Sequence, residues 1–565
     1  MRLIVKLSES IKFFIKNKYY VILLLLSAIA GYGYQLFHGT CGIDDVVIDM
    51  YFEDGLGVAI GRWPFFYINK IVPVASEYTP FFTDFLAVLL LMFGAILWCS
   101  VIREIVKEEL PILCYSVFSA MFLLYSLIAE VFIFYLHNGI AIIYCIVGFA
   151  LFAFYYIWAY KVTVKEKITV SIVLAIILCV GISFYESAAN LYLFGVLLVL
   201  FIDAIRLNRL CARNIKTAFV LLGHTGCVLV LAIVGRTMMT RFTMSAFSLK
   251  DHFFRSVTDI SWMSAGGFRE LYVELVMLIK LAIKEYFAVG VVYYPILLFA
   301  LATILYVIFV IYMSVRKKSM WVCLYGVGTY ASLYILTIIQ CDTLKYRSCQ
   351  MFSVFVGIVL MMFTNVILKK SKWIKRLGLA LVSGIIVYSA IDLNEWFIYD
   401  YEKNQLELQV VHEIGEELQS GKYDIEHKPV VFVGEFLLDE EVLDKCYVDK
   451  GEWGYPVVKW VSEWMELESD SYCITQIMDL SLINWGVESL ASYSGYNKPL
   501  QDLFEHCGYS FIWAESELYE KIMPIYYDYY GPGYEYMKTE AYGEEEQYPY
   551  EGYIEENEDF IAVKL

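Results

Sequence analysis

Five acids in one short segment define the chemistry open to this chain. From His38 to Lys70 the sequence reads HGTCGIDDVVIDMYFEDGLGVAIGRWPFFYINK. Asp44, Asp45, Asp49, Glu53 and Asp54 fall within eleven residues, and Arg62 and Trp63 follow shortly after. The spacing of four between Asp45, Asp49 and Glu53 sets them on one face of any helix they form. Carboxylates this close raise one another's pKa, which is how a protein obtains a general base or a shared site for a divalent cation such as Mg or Mn. A solvated acidic loop has the same composition, and residue types alone leave both readings open.

Other polar residues interrupt apolar sequence. Tyr185, Glu186 and Ser187 break an otherwise apolar run from 168 to 204. A carboxylate with so little loop around it is costly in a membrane and marks a candidate site, the alternative being a tight hairpin with Glu186 in water. Asp342, Lys345 and Arg347 form another short polar segment between apolar runs, and Arg236 and Arg241 follow a third. Guanidinium groups there can grip an anion's oxygens, phosphate above all, or simply meet lipid headgroups. His137, between Glu130 and Asn138, is either a base or a plain polar contact. His38 and Cys41 do not make a metal site by themselves. No P-loop, no GxGxxG after a strand, and no GxSxG or HExxH is present.

The elements that must position these groups follow from composition. Of 565 residues, 59% are hydrophobic, and mean hydropathy is +0.59. A soluble chain is typically about 45–50% apolar, so the excess points to bilayer-spanning helices. Apolar stretches of spanning length occur at about 19–37, 84–102, 111–129, 139–159, 168–185, 188–204, 217–235, 287–314, 320–340, 348–368 and 377–396, which predicts about eleven spans. With the lysine-bearing N-terminus inside, the connections 103–110, 160–167, 205–216, 315–319 and 369–376 are short, basic and cytoplasmic. The first span lacks a small-residue cleavage site and is expected to be retained. The segment 236–286 lies outside in this scheme despite its basic residues. Within it, 268–286 reads as an amphipathic helix in the membrane interface, or else as a twelfth span.

Charge divides the chain. Residues 401–565 carry 36 acids and 10 bases, a net −26, which leaves 24 acids and 33 bases, net +9, in 1–400. A nucleic-acid partner is excluded for a domain of that sign. The division predicts a transmembrane domain over 1–396, with its first outer loop at 38–83, and an acidic extracytoplasmic α/β domain over 397–565. In the latter, 402–418 reads as a helix, and PVVFVG (429–434) and FIAVKL (560–565) as short strands. The thirteen cysteines contain no CxxC and no zinc spacing.

GIDD (42–45), the acids after it, and GRW (Gly61, Arg62, Trp63) resemble the bacterial membrane glucosyltransferase family that includes the phage-type O-antigen glucosyltransferases. FYESAANLYL (184–193) is similar to a segment of that family, and KPVVFVG and DFIAVKL are similar to the tail of its Gram-positive-type members. The resemblance implies a GT-C type fold in the bacterial plasma membrane. It also implies inverting transfer of a sugar, glucose, from a polyprenyl-phosphate donor to an envelope polysaccharide or teichoic-acid-like acceptor on the outer face. Asp44 or Asp45 is then the catalytic base. Arg62, Lys345, Arg347 and Arg236 face the donor phosphate, and Tyr185, Glu186, Glu53 and His137 support the acceptor. A divalent cation held by Asp44 and Asp45 is compatible with the family. A flippase and a polyprenyl-phosphate glucosyl synthase are the implied partners. Two other readings compete: a transporter or flippase of lipid-linked sugars, for which inverted repeats are expected but not seen, and an envelope polymerase or ligase of similar topology.

Overall fold

The computed structural model describes residues 2–40, 55–71, 80–107, 110–133, 137–206, 209–210, 214–249, 272, 276, 296–335, 349–434, 436, 481–483, 498–530, 536–538 and 548–565. Each of the eleven apolar stretches carries a helix. Among the described residues, eight of these helices are long and apolar enough to cross a membrane. Those over the 111–129, 320–340 and 348–368 stretches are shorter among the described residues, at Ile112–Leu124, Met320–Ala331 and Met351–Ile367. In chain order the helices used below are α1 (Arg2–Lys16), α2 (Lys18–Phe37), α3 (Leu56–Ala59), α4 (Trp63–Ile71), α5 (Pro80–Val106), α6 (Ile112–Leu124), α7 (Ile128–Ile133), α8 (His137–Ala159), α9 (Val164–Phe184), α10 (Ser187–Ile205) and α11 (Ile215–Phe247). Then come α12 (Ile296–Lys317), α13 (Met320–Ala331), α14 (Met351–Ile367) and α15 (Lys372–Leu418).

Local chemistry sets several of the boundaries. Asn17 caps α2 by accepting from Tyr20 N at 3.2 Å, and Thr163 caps α9 by accepting from Glu166 N at 3.2 Å. Between α9 and α10 only Tyr185 and Glu186 intervene; Tyr185 is extended, and the chain reverses there. Hydrogen bonds join the helices where lipid offers no partner. Tyr32 Oη donates to Leu123 O at 2.6 Å, Tyr144 Oη to Gln350 O at 2.8 Å, and Gln35 Nε2 to Asp84 Oδ2 at 3.2 Å.

Two helices outrun the sequence reading. α11 continues to Phe247, so the first twelve residues of the expected outer segment 236–286 are helical. No glycine or proline interrupts 236–247, and the helix stops only where Ser248 turns left-handed at φ 51°. The amphipathic segment 268–286 lies outside the described residues except for helical Tyr272 and Val276. α15 runs 47 residues, about 70 Å at 1.5 Å per residue, and passes unbroken through the expected domain boundary at 396.

Beyond α15, β1 (Val430–Val433) pairs in parallel with β5 (Ile561–Lys564), which pairs antiparallel with β4 (Ile554–Glu556). All residues of β1 and β5 are buried, because both faces of the sheet are covered. Val430, Phe432, Ile561 and Val563 join the core that includes Val411, Ile414 and Leu418 of α15 and Leu503 and Phe504 of α16 (Lys498–His506). On the other face Val431, Val433 and Ala562 pack with Tyr519 and Ile522 of α17 (Ser516–Tyr526). Strands β2 (Tyr527–Tyr530) and β3 (Tyr536–Lys538) form a separate hairpin.

Candidate active site

The turn before α4 is built around two glycines. Gly55 and Gly61 have φ of 86° and 91°, in the left-handed region that side chains disfavour. Arg62 N donates to Gly57 O at 2.6 Å and Gly61 N to Val58 O at 2.8 Å, closing a tight loop over 57–62. A Cβ at Gly61 would overlap the guanidinium of Arg236. The glycine of GRW is therefore required twice, by its backbone angle and by a long-range neighbour.

That neighbour belongs to α11. Arg236 Nη2 pairs with Glu186 Oε1 and also donates to Ile60 O at 2.6 Å. Its side chain is 11% exposed and that of Glu186 17%. One guanidinium nitrogen thus joins three places that are far apart in sequence: the 57–62 turn, the α9–α10 break and α11. Next to it, the Arg62 guanidinium lies over the Tyr185 ring at 5.0 Å, in a buried setting where such a contact is strong. Phe65 of α4 packs edge-on against Phe184, the last residue of α9, at 5.2 Å.

Of the residues singled out in the sequence, Arg62, Tyr185, Glu186 and Arg236 come together in this cluster. Arg236, expected to face a phosphate, has Nη2 committed to Glu186 and the Ile60 carbonyl. His137 is the first residue of α8, and Gly139, two residues on, lies against Phe65 of the cluster. Asp44, Asp45, Glu53, Lys345 and Arg347 lie outside the described residues. Among the described residues no group of three or more His, Cys, Asp or Glu side chains could hold a metal ion.

The sequence reading missed two further groups. Asp84, fully buried in the second turn of α5, pairs with Gln35 of α2 three residues before His38. A lone acid inside PFFTDFLAVLL was the available signal. Asp400, Lys403, Asn404 and Glu407 form a buried stripe on α15 at helical spacing. Asp400 hydrogen-bonds Thr40, and Glu407 Oε1 accepts from Leu482 N at 2.6 Å. This stripe is the contact between α15, the start of the first loop and residues 481–483.

Spanning helices bound together by buried polar groups, with paired charges gathered at one end of α9 and α10, define a transmembrane protein with a polar site at its helix ends. Residues 33–407 match the family described as Glucosyl transferase GtrII, and the chain belongs to that family. It is a transmembrane glycosyltransferase, of a family concerned with phage-type O-antigen modification, and the transporter reading gives way to the enzyme. The match takes in GIDD, GRW, Tyr185, Glu186, Arg236 and the polar stripe of α15 as far as Glu407. Comparison with curated proteins and with solved structures found no match.

Proposed function

We propose that the protein moves glucose from a polyprenyl-phosphate donor to an envelope polysaccharide or teichoic-acid-like acceptor, on the outer face of the bacterial plasma membrane and with inversion. In this reading Asp44 or Asp45 accepts the proton of the acceptor hydroxyl as its oxygen attacks the anomeric carbon. The bond from that carbon to the donor phosphate oxygen breaks, and the polyprenyl phosphate leaves with the electron pair. Arg62, with Lys345 and Arg347, carries the charge that develops on the leaving phosphate. Preorganised cations in a partly dry site are worth several kcal/mol to such a step.

The observation that carries this reading is the buried cluster that follows the first-loop acids. Arg62 is held by the Gly61 turn and the Tyr185 ring at the end of α9, and this reading brings the donor phosphate to that place. Arg236 is assigned a positioning role, because it ties the turn that presents Arg62 to Glu186. A divalent cation, if used, belongs with Asp44 and Asp45. The acidic C-terminal part favours a cap or subunit contact over binding an anionic polymer, since like charge repels.

The test compares the envelope sugar composition of cells carrying wild-type protein, a deletion, Asp44→Asn and Asp45→Asn. Loss of the side-chain hexose in the deletion and in at least one substituted strain, with normal protein levels, is expected. Hexose retained in both substituted strains would show that neither acid is the base. A Cys substituted at Asp342 should be labelled from outside intact cells; labelling only after lysis refutes the outer-face assignment.

A further inference from the structure

A second polar site lies at the opposite end of α8 from the Arg62 cluster, about 35 Å away by helix rise over its 23 residues. There α1, α5 and α6 enclose a cavity of about 250 Å³ lined by Lys6, Glu9, Arg103, Glu104, Lys107 and Tyr115, among others. The cations outnumber the acids, and one acid is already used: Glu104 pairs with Lys107 and accepts from Tyr160 Oη. Glu9 is exposed. Arg103 spends one N–H on Ser10 Oγ at 3.2 Å and lies over the Phe13 ring at 4.1 Å; its other N–H groups have no acceptor among the described residues. Lys6 Nζ lies over the Tyr160 ring at 4.3 Å and has no carboxylate partner among the described residues.

Tyr115 provides an independent indication. The residue is 1% exposed, lines the cavity, and its hydroxyl has no hydrogen-bond partner among the described residues. A buried hydroxyl left without a partner costs free energy, which a ligand oxygen in the cavity removes. Burial, together with the neighbouring cations Lys6 and Arg209, works to lower the Lys107 pKa, and it falls despite the hydrogen bond to Glu104. Among the described residues the cavity thus has three cations to two carboxylates and a spare donor.

Its surroundings point to lipid. α1 exposes Ile4, Val5, Phe13 and Ile15 beside its lysines, the pattern of a helix lying on a bilayer. We propose that the cavity between α1, α5 and α6 binds a phosphate group, that of an anionic phospholipid headgroup, through Arg103, Lys6 and the Tyr115 hydroxyl. This site is independent of the transfer reaction and of its proposed residues.

Full-length protein in nanodiscs of equal parts phosphatidylglycerol and phosphatidylcholine, released into detergent, is examined by native mass spectrometry. Wild-type protein should retain phosphatidylglycerol. Arg103→Gln should retain roughly tenfold less, as expected for losing a charge-assisted hydrogen bond. Tyr115→Phe, which keeps the buried ring, should retain severalfold less. In discs of phosphatidylcholine alone, inorganic phosphate is added and acetylation of Lys6 is followed. Protection there supports the phosphate site while assigning it to a soluble ligand. Equal retention by all three proteins without protection of Lys6 overturns the proposal.

Discussion

Breaking the Arg236–Glu186 pair separates two roles for Arg236, direct grip on a phosphate and support of the 57–62 turn. Removing one partner of a buried pair costs about 3–5 kcal/mol when the other charge is left uncompensated. Here the side chains keep 11% and 17% of their exposure, and Arg236 also holds the Ile60 carbonyl. Water at that exposure reduces the penalty, so each single substitution to Met is expected to cost about 2–3 kcal/mol. The double substitution removes both charges and should cost less than the two singles together, giving a coupling of about 2 kcal/mol. The assay is SDS titration of the purified protein in mixed micelles, followed by tryptophan fluorescence, for wild type, Glu186→Met, Arg236→Met and the pair. Transfer activity is measured on the same four proteins. If the turn is what matters, Arg236→Lys loses activity as well, because the ammonium ends a shorter, flexible and strongly hydrated stem that does not hold a nitrogen where the planar guanidinium fixes Nη2. Additive stabilities, or full activity in Arg236→Lys, refute the positioning role.

Three further outcomes follow from the same geometry. Gly61→Ala should lower both activity and folded yield, since the left-handed φ alone costs about 1 kcal/mol or more and the new Cβ overlaps Arg236; unchanged activity contradicts the turn. Tyr185→Phe should keep donor KM near wild type, while Tyr185→Leu should raise it by removing a ring contact to Arg62 worth about 1–2 kcal/mol; equal KM values in the two variants remove that contact from donor binding. Glu407→Ala should destabilise by about 1–3 kcal/mol in SDS titration by orphaning the buried Leu482 N–H, with Glu407→Gln milder because one acceptor oxygen remains.

What the sequence made legible was periodic or local. Apolar runs located the helices, the polar break at Tyr185 and Glu186 located the α9–α10 reversal, and PVVFVG and FIAVKL located β1 and β5. Parallel pairing of those strands, across more than a hundred residues, has no local signature. Nor has the union of Gly61, Glu186 and Arg236, which are brought together by packing from positions 50 and more residues apart. The overrun of α11 and α15 has a different origin. Composition reports the medium around a segment, whereas a helix ends only when the backbone meets a breaker or a cap. At 236 and at 396 the composition changes and no breaker is present. The polar stripe of α15 went unremarked for a related reason, because charge spacing along one helix face does not show whether a partner covers it.

The unbroken α15 has a mechanical consequence. Its C-terminal half forms part of the core beneath β1 and β5, while its N-terminal half packs against α2, α6 and α14. The sheet is therefore fixed to the membrane bundle by a rigid shaft rather than tethered by a linker. Each residue inserted near 397 turns everything beyond it by about 100° and lifts it about 1.5 Å. One extra residue should consequently swing the sheet and the Glu407 stripe about 100° out of their facing, whereas seven, nearly two full turns, restore the facing but raise both by about 10 Å.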